Sequence, residues 1–205
     1  MEILMLILCF IVAYLIGSIN TSMIVSNIYK KDIREHGSGN AGATNALRTF
    51  GKLPAAIVLF CDFLKAVVAI LISYIFIHYG YGKIFEYAAG TGVILGHNYP
   101  VYFGFRGGKG VITSFGVILM IHPIFALVSL VSAALVMMIT KYVSLGSIFS
   151  AIMFFILSFF TKEKDTYFII FAFITAVLLI LRHKENIKRL IKGEESKLGK
   201  KKTDM

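Results

Sequence analysis

From position 3 to position 28 the chain carries no charged side chain, and residues 53–79 and 166–181 repeat the pattern, with only Asp62 and Lys65 interrupting the former. About 20 apolar residues rising ~1.5 Å each cross the ~30 Å hydrocarbon core of a bilayer. In that medium backbone polar groups must be satisfied internally, so runs of this length can only be helices. An all-α, polytopic membrane protein is therefore expected. At 58% hydrophobic and 16% charged residues, the composition excludes both an ordinary soluble domain and a disordered chain. The net charge of +10 comes from basic residues gathered between the apolar runs, an arrangement that argues against a nucleic-acid partner.

Further apolar segments are shorter or interrupted. Residues 84–96 run into His97-Asn98-Tyr99-Pro100, 111–121 into His122-Pro123, and 124–140 and 143–160 follow. Counting Pro123 as a break gives seven transmembrane helices, some short, whereas one kinked helix over 111–140 gives six. The basic residues decide between them, because cytoplasmic loops carry an excess of Lys and Arg. With seven spans, the N-terminus outside and the C-terminus cytoplasmic, Lys30, Lys31, Arg34, Arg48, Lys52, Arg106, Lys109, Lys141 and the basic tail from about residue 182 all face the cytoplasm. Lys83, Lys162 and Lys164 remain outside. The reading is one integral membrane domain over 1–205. Its first segment lacks a basic leader and a small-residue cleavage site, and is read as a retained span.

Under this topology every polar, glycine-rich segment lies on the cytoplasmic side. In residues 36–48, Gly37, Gly39 and Gly42 let backbone N–H groups approach an anion, Ser38, Asn40, Thr44 and Asn45 add hydroxyls and amides, and Arg48 offers a bidentate fork for phosphate. The segment reads as an anion cradle or as a flexible loop with a helix cap at Ser38 or Asn40. Residues 104–110 (Gly-Phe-Arg-Gly-Gly-Lys-Gly) resemble a nucleotide-binding P-loop. However, the glycine spacing is one residue short, and Gly110 occupies the place of the magnesium-binding hydroxyl. An ATPase is disfavoured, and what survives is Lys109 with backbone donors at a helix start. His183 and Asn186 are three apart after the last span and would share a face of a continuing helix, while Lys188, Arg189 and Lys192 suit a helix on anionic lipid. Ser144 and Ser147 begin the sixth span as caps or as phosphate donors. Asp62 and Lys65, at i, i+3 inside the second span, read as a structural ion pair, with a proton pathway as the sharper alternative.

Absent motifs narrow the field. No His is followed by Asp at the fifth position, there is no Gly-x-Ser-x-Gly elbow and no His-Glu-x-x-His, and Cys9 and Cys61 form neither a disulfide framework nor a zinc site. An anion transporter built from broken helices would gather its polar residues near the bilayer midplane rather than on one face.

Taken together, residues 37–48, residues 96–110, and Tyr142-Val143-Ser144 with Arg182-His183 and Asn186 resemble the three cytoplasmic motifs of the bacterial acyl-phosphate:glycerol-3-phosphate acyltransferases. The segment Gly-Glu-Glu-Ser-Lys-Leu-Gly over 193–199 matches that family's ending. The resemblance implies a seven-helix enzyme of the bacterial cytoplasmic membrane, active on its cytoplasmic face. It would acylate the sn-1 hydroxyl of glycerol 3-phosphate from acyl phosphate, releasing 1-acyl-glycerol 3-phosphate and phosphate. It further implies Ser38, Arg48, Lys109, His183 and Asn186 as catalytic residues. Gly39, Asn40, Gly42, Thr44, Asn45, Gly107, Gly108, Ser144 and Ser147 would bind substrate phosphate, with Glu195 structural. No metal or cofactor is implied. The implied partners are the two substrates, membrane lipids and the enzyme that forms acyl phosphate.

Overall fold

The computed structural model describes residues 1–161 and 165–198, which among themselves contain helices, turns and loops but no strand. Lys162, Lys164 and the tail from residue 199, assigned above from the sequence, lie outside the described residues. The chain divides into two compact units, the first ending at His122 and the second beginning at Pro123.

The first unit holds α1 (Glu2–Ser18), α2 (Thr21–Ile28), a 3-10 turn (Ile33–Glu35), α3 (Ala43–Thr49), α4 (Lys52–His78), α5 (Ile84–Asn98), a second 3-10 turn (Val101–Phe103) and α6 (Val111–Ile121). The apolar run over 3–28 is not one uninterrupted helix. Ile19 and Asn20 are extended, and the Asn20 side chain accepts the Met23 N–H at 3.1 Å to start α2. A buried polar run, Ser18, Asn20, Thr21 and Ser22, causes this break, because short polar side chains satisfy the backbone locally and compete with the helix ladder.

Helices α1 and α5 touch backbone to backbone. A Cβ on Gly17 would overlap Val93, one on Gly92 would overlap the Phe10 carbonyl, and one on Gly96 would overlap the Tyr14 carbonyl. Lipid tails are as apolar as Leu, so helices gain little hydrophobic drive from meeting one another, and close van der Waals contact through small residues takes its place. The packing also places the end of α5. Tyr14 Oη donates to the Tyr99 carbonyl at 2.7 Å, and Ser18 Oγ accepts from the Val101 N–H at 3.3 Å.

The second unit holds α7 (Pro123–Thr140), α8 (Val143–Leu157), a 3-10 turn (Ser158–Phe160), α9 (Thr166–Arg182) and α10 (Lys184–Ile191). Asp165 caps α9 by accepting from Tyr167 and Phe168 N–H at 3.0 and 3.1 Å. Gly146 lets α8 lie against the Ala133 carbonyl of α7. Phe154 is fully buried, edge-on to Phe168 and Phe171, which makes it core, while Phe159 and Phe160 are exposed.

The apolar segments at 111–121 and 123–140 are separate helices, as a break at Pro123 requires. Among the described residues, four stretches are long and apolar enough to cross a membrane: Glu2–Ile28, Lys52–His78, Pro123–Thr140 and Val143–Phe160. A fifth is added if α9 and α10, bent by 58° at His183, form one span. Helices α5 and α6 are apolar but short, about 22 and 16 Å long at ~1.5 Å per residue. The chain is a multi-pass membrane protein.

Candidate active site

In the first unit, the segment from Ile33 to Ala46 is held rather than loose. Ile33, Ala41 and Ala46 are buried with Met23, Val25, Ala55 and Val58 in one apolar cluster. The Ile33 N–H donates to Ser26 Oγ at 3.1 Å. Asp32 caps the 3-10 turn and takes a two-pronged contact from Arg34, Nε to Oδ1 at 3.0 Å and Nη2 to Oδ2 at 2.7 Å. That guanidinium, together with the Arg34 backbone N–H, holds the Asp32 carboxyl below its ordinary value.

Asn45 is the clamp of this segment. Its side-chain nitrogen donates to the Ile33 and His36 carbonyls at 3.0 and 2.9 Å, and its oxygen accepts the Ser38 N–H at 2.9 Å. The carboxamide is thus taken up by the backbone that carries Ser38. Ser38 and Gly39 stand exposed at the crest, Gly39 at φ +70°, and Asn40 and Gly42 are half-buried beside them. Thr44 and Arg48, one helical turn apart on α3, are both exposed, and among the described residues the Arg48 guanidinium has no ion pair. Asn45→Ala is expected to leave the Ser38 N–H unmatched, at ~1–3 kcal/mol before relaxation, and to take one of two donors from each of the Ile33 and His36 carbonyls. Exchange of the amides at 33–38 should accelerate and acyl transfer should fall, while the amides of α4 remain protected.

The second glycine-rich segment turns sharply after the 3-10 turn, with Gly104 and Phe105 both left-handed (φ +64° and +59°). Gly107 and Gly108 are then buried, Lys109 is half-buried, and Gly110 at φ +80° opens α6. The Gly108 N–H donates to the His97 carbonyl at 3.1 Å. A Cβ on Gly108 would run into the His97 ring and come within 2.9 Å of the Ala41 carbonyl. The two glycine-rich segments, read apart in the sequence, are therefore neighbours. His97 and Asn98 are the residues that sequence reasoning left without a role. Both are buried, His97 under Gly108 and Asn98 with its side-chain oxygen beside Gly110. The available signal was a polar pair ending an apolar helix directly before the glycines.

In the second unit, Glu195 gathers the expected residues. Its Oε1 accepts from Ser144 Oγ at 2.9 Å and from Asn186 Nδ2 at 2.7 Å, and its Oε2 accepts from Arg189 Nε at 2.7 Å. The Leu198 N–H donates to the Lys141 carbonyl at 2.8 Å, and the Lys197 ammonium lies 5.5 Å from the Tyr142 ring centre. Ser147 Oγ donates back to the Val143 carbonyl at 2.9 Å. His183 does not continue a straight helix as its spacing to Asn186 suggested. It sits at the bend between α9 and α10, where its Nδ1 meets the Leu179 carbonyl at 2.8 Å. A carbonyl only accepts, so the proton of that contact is assigned to Nδ1.

Burial by itself would raise the pKa of Glu195, but the donors from Asn186, Arg189 and Ser144 outweigh it and hold the carboxyl below its ordinary 4.5. A depressed folded pKa means that the clasp's contribution is complete above the ordinary value and is lost as pH falls through the folded one. Thermal melting in detergent is therefore expected to weaken in the wild type across the acid window that opens as pH falls below the ordinary 4.5. Glu195→Gln should lose stability at neutral pH and show a smaller drop across that window. An equal drop in both proteins would refute the clasp.

A family model described as glycerol-3-phosphate acyltransferase matches residues 7–193. A glycerol-3-phosphate acyltransferase of Thermoanaerobacter pseudethanolicus is 47% identical over 192 residues, covering 93% of this chain and 94% of its own. One of Clostridioides difficile is 46% identical over 205 residues, covering 98% and 100%. Among solved structures, the crystal structure of PlsY (YgiH), an integral membrane glycerol 3-phosphate acyltransferase, in its glycerol 3-phosphate form superposes with a TM-score of 0.87 at 38% identity, covering 95% of this chain and 96% of that one. Its lysophosphatidic acid form gives 0.84 at 37%. Agreement over nearly the whole length, in sequence as well as in the helical framework, means that this chain belongs to the glycerol-3-phosphate acyltransferase family of integral membrane enzymes.

Proposed function

We propose that this protein transfers a fatty acyl group from acyl phosphate to the sn-1 hydroxyl of glycerol 3-phosphate, the first step of phospholipid synthesis. The products are 1-acyl-glycerol 3-phosphate and inorganic phosphate. The observation that carries the reading is the contact of Gly108 with both the His97 ring and the Ala41 carbonyl, which sets the Ser38–Arg48 segment beside the Lys109 turn. Two adjacent anion-seeking loops suit a reaction in which both substrates carry phosphate. The solved relative, described with glycerol 3-phosphate and with lysophosphatidic acid, supports the acceptor and the product class.

In this proposal Lys109, carried by the Gly107–Lys109 turn, and the start of α6 hold the phosphate of glycerol 3-phosphate, since an ammonium and the positive end of a helix dipole favour negative charge. Arg48, with Ser38, Gly39, Asn40, Gly42 and Thr44, meets the phosphate of the acyl donor. A mixed anhydride is already activated, so positioning and charge neutralisation supply most of the catalysis. The acceptor oxygen forms the new ester bond at the acyl carbon, the bond from that carbon to the phosphate oxygen breaks, and the hydroxyl proton passes to a phosphate oxygen of substrate. In the second unit, His183 and Asn186 are assigned catalytic work, Ser147 a phosphate contact, and Glu195, with Ser144 donating to it, the structural clasp. Seven crossings, an external N-terminus and a cytoplasmic active face in the bacterial inner membrane complete the proposal, with acyl phosphate supplied by the enzyme that makes it.

Purified protein in detergent, given palmitoyl phosphate and glycerol 3-phosphate, is expected to release phosphate and form lysophosphatidate in equal amounts. Inertness of folded protein would overturn the reading, and equal use of palmitoyl coenzyme A would overturn the choice of donor. Ser38→Cys and Lys109→Cys should be labelled from the same side of the membrane; labelling from opposite sides would dismantle the site.

A further inference from the structure

Three ionisable side chains in the first unit lie outside the residues assigned to substrate. Asp62 and Lys65 are on α4, with Lys65 about 20 Å along the helix from its start, and His97 ends α5. All three are more than nine-tenths buried. The Lys65 ammonium lies 3.0 Å from Asp62 Oδ1, 3.0 Å from the Ile19 carbonyl and 2.9 Å from His97 Nδ1. Its three donors therefore face three elements: its own helix, the end of α1 and the end of α5. The Asp62 contact is at ion-pair distance without the alignment of a hydrogen bond. Asp62 Oδ1 also stands 3.5 Å from His97 Nδ1.

An ammonium donates and cannot accept, so against a charged Lys65 the His97 Nδ1 accepts and the ring proton is assigned to Nε2. Nε2 and Cε1 are the atoms that a Cβ on Gly108 would strike. His97 thus holds Gly108 twice, by its carbonyl through the Gly108 N–H and by its ring underneath. Charges at such depth cost ~2.5–3.5 kcal/mol each on insertion scales, and an apolar trio would join α4 to α5 with less penalty. What an apolar trio could not do is fix the rotation of the ring that supports the turn.

We infer that Lys65, neutralised by Asp62, is a positioning residue: it locks the His97 ring beneath Gly108 and so sets where the Gly107–Lys109 turn meets the substrate's phosphate. This rests on the reading of that turn given under the proposed function. The test uses the full-length protein with Lys65→Met, with the charge-neutral pair Asp62→Asn and Lys65→Met in case the single variant does not fold, and with His97→Gln, which removes the Nδ1 acceptor.

The expected result is a rise of about tenfold or more in KM for glycerol 3-phosphate with KM for palmitoyl phosphate within about twofold. Hydrogen exchange of the amides at 107–110 should be at least about tenfold faster, with α4 unchanged. Lower thermal stability with both KM values unchanged would overturn the inference, as would unchanged exchange at 107–110. A wild-type protein without acyl transfer would sink the proposed function instead, and the exchange measurement would then decide the positioning role alone.

Discussion

Lys109→Ala is expected to lower kcat/KM for acyl transfer by at least ~10²-fold, the usual consequence of removing one preorganised group that meets developing or transferred charge. Its side chain is half-buried on a turn whose neighbours, Gly107 and Gly108, are fully buried. The ammonium is therefore presented by a fixed backbone instead of a mobile loop, and little reorganisation is needed when phosphate arrives. Arg48→Ala should cause a loss of similar size for a different reason. Arg48 stands exposed on α3, unspent on any ion pair among the described residues, whereas nearby Arg34 is consumed by Asp32. Arg34→Ala should accordingly cost far less activity than Arg48→Ala. Membrane insertion and melting midpoint should be unchanged in both Lys109→Ala and Arg48→Ala, and steady-state kinetics on the purified variants checks all three. Wild-type kinetics in Lys109→Ala would remove this turn from the active site.

Gly108→Ala adds one methyl group and is expected to be nearly as damaging. The new carbon would overlap Nε2 and Cε1 of His97 and crowd the Ala41 carbonyl. Flexible side chains often yield to such a clash, but His97 is 4% exposed and tied through Nδ1 to Lys65. The turn must move instead, and overpacking of this kind costs ~1–3 kcal/mol. A displacement near 1 Å at a positioning group lowers turnover by ~10²-fold. The change should appear as a raised KM for glycerol 3-phosphate together with a reduced kcat. Gly104→Ala is the matched control: its Cβ would meet nothing, so only the strain of φ +64° applies and the loss should be several-fold smaller. Equal losses in the two variants would show that backbone strain, and not the His97 contact, governs the turn.

The helical framework was readable because lipid imposes one rule on every residue that crosses it. The apolar segments at 53–79, 84–96, 111–121, 124–140, 143–160 and 166–181 each correspond to one helix, and Pro123 ends one and begins the next. The first segment was less transparent. Hydropathy alone runs smoothly through 3–28, while the break at Ile19 and Asn20 depends on where the buried polar groups of Ser18 and Asn20 find partners. The glycine-rich segments stood out as candidate anion cradles, since glycine and small polar residues before a cation restrict the chemistry without reference to neighbours, and the structure sets the two side by side.

Their internal division of labour was not legible. Asn45 looked like a phosphate contact, and its carboxamide is spent on the Ile33, His36 and Ser38 backbone. Ser144 looked like another, and its hydroxyl is given to Glu195. His97 was given no role from the sequence, yet it lies beneath Gly108 and meets Lys65 from a different helix. Composition and periodicity settle which stretches must be helices in a membrane, because that depends only on local solvation of the backbone. Which polar atom is left for a substrate depends on what residues tens of positions away have already claimed, and distances between helices decide that.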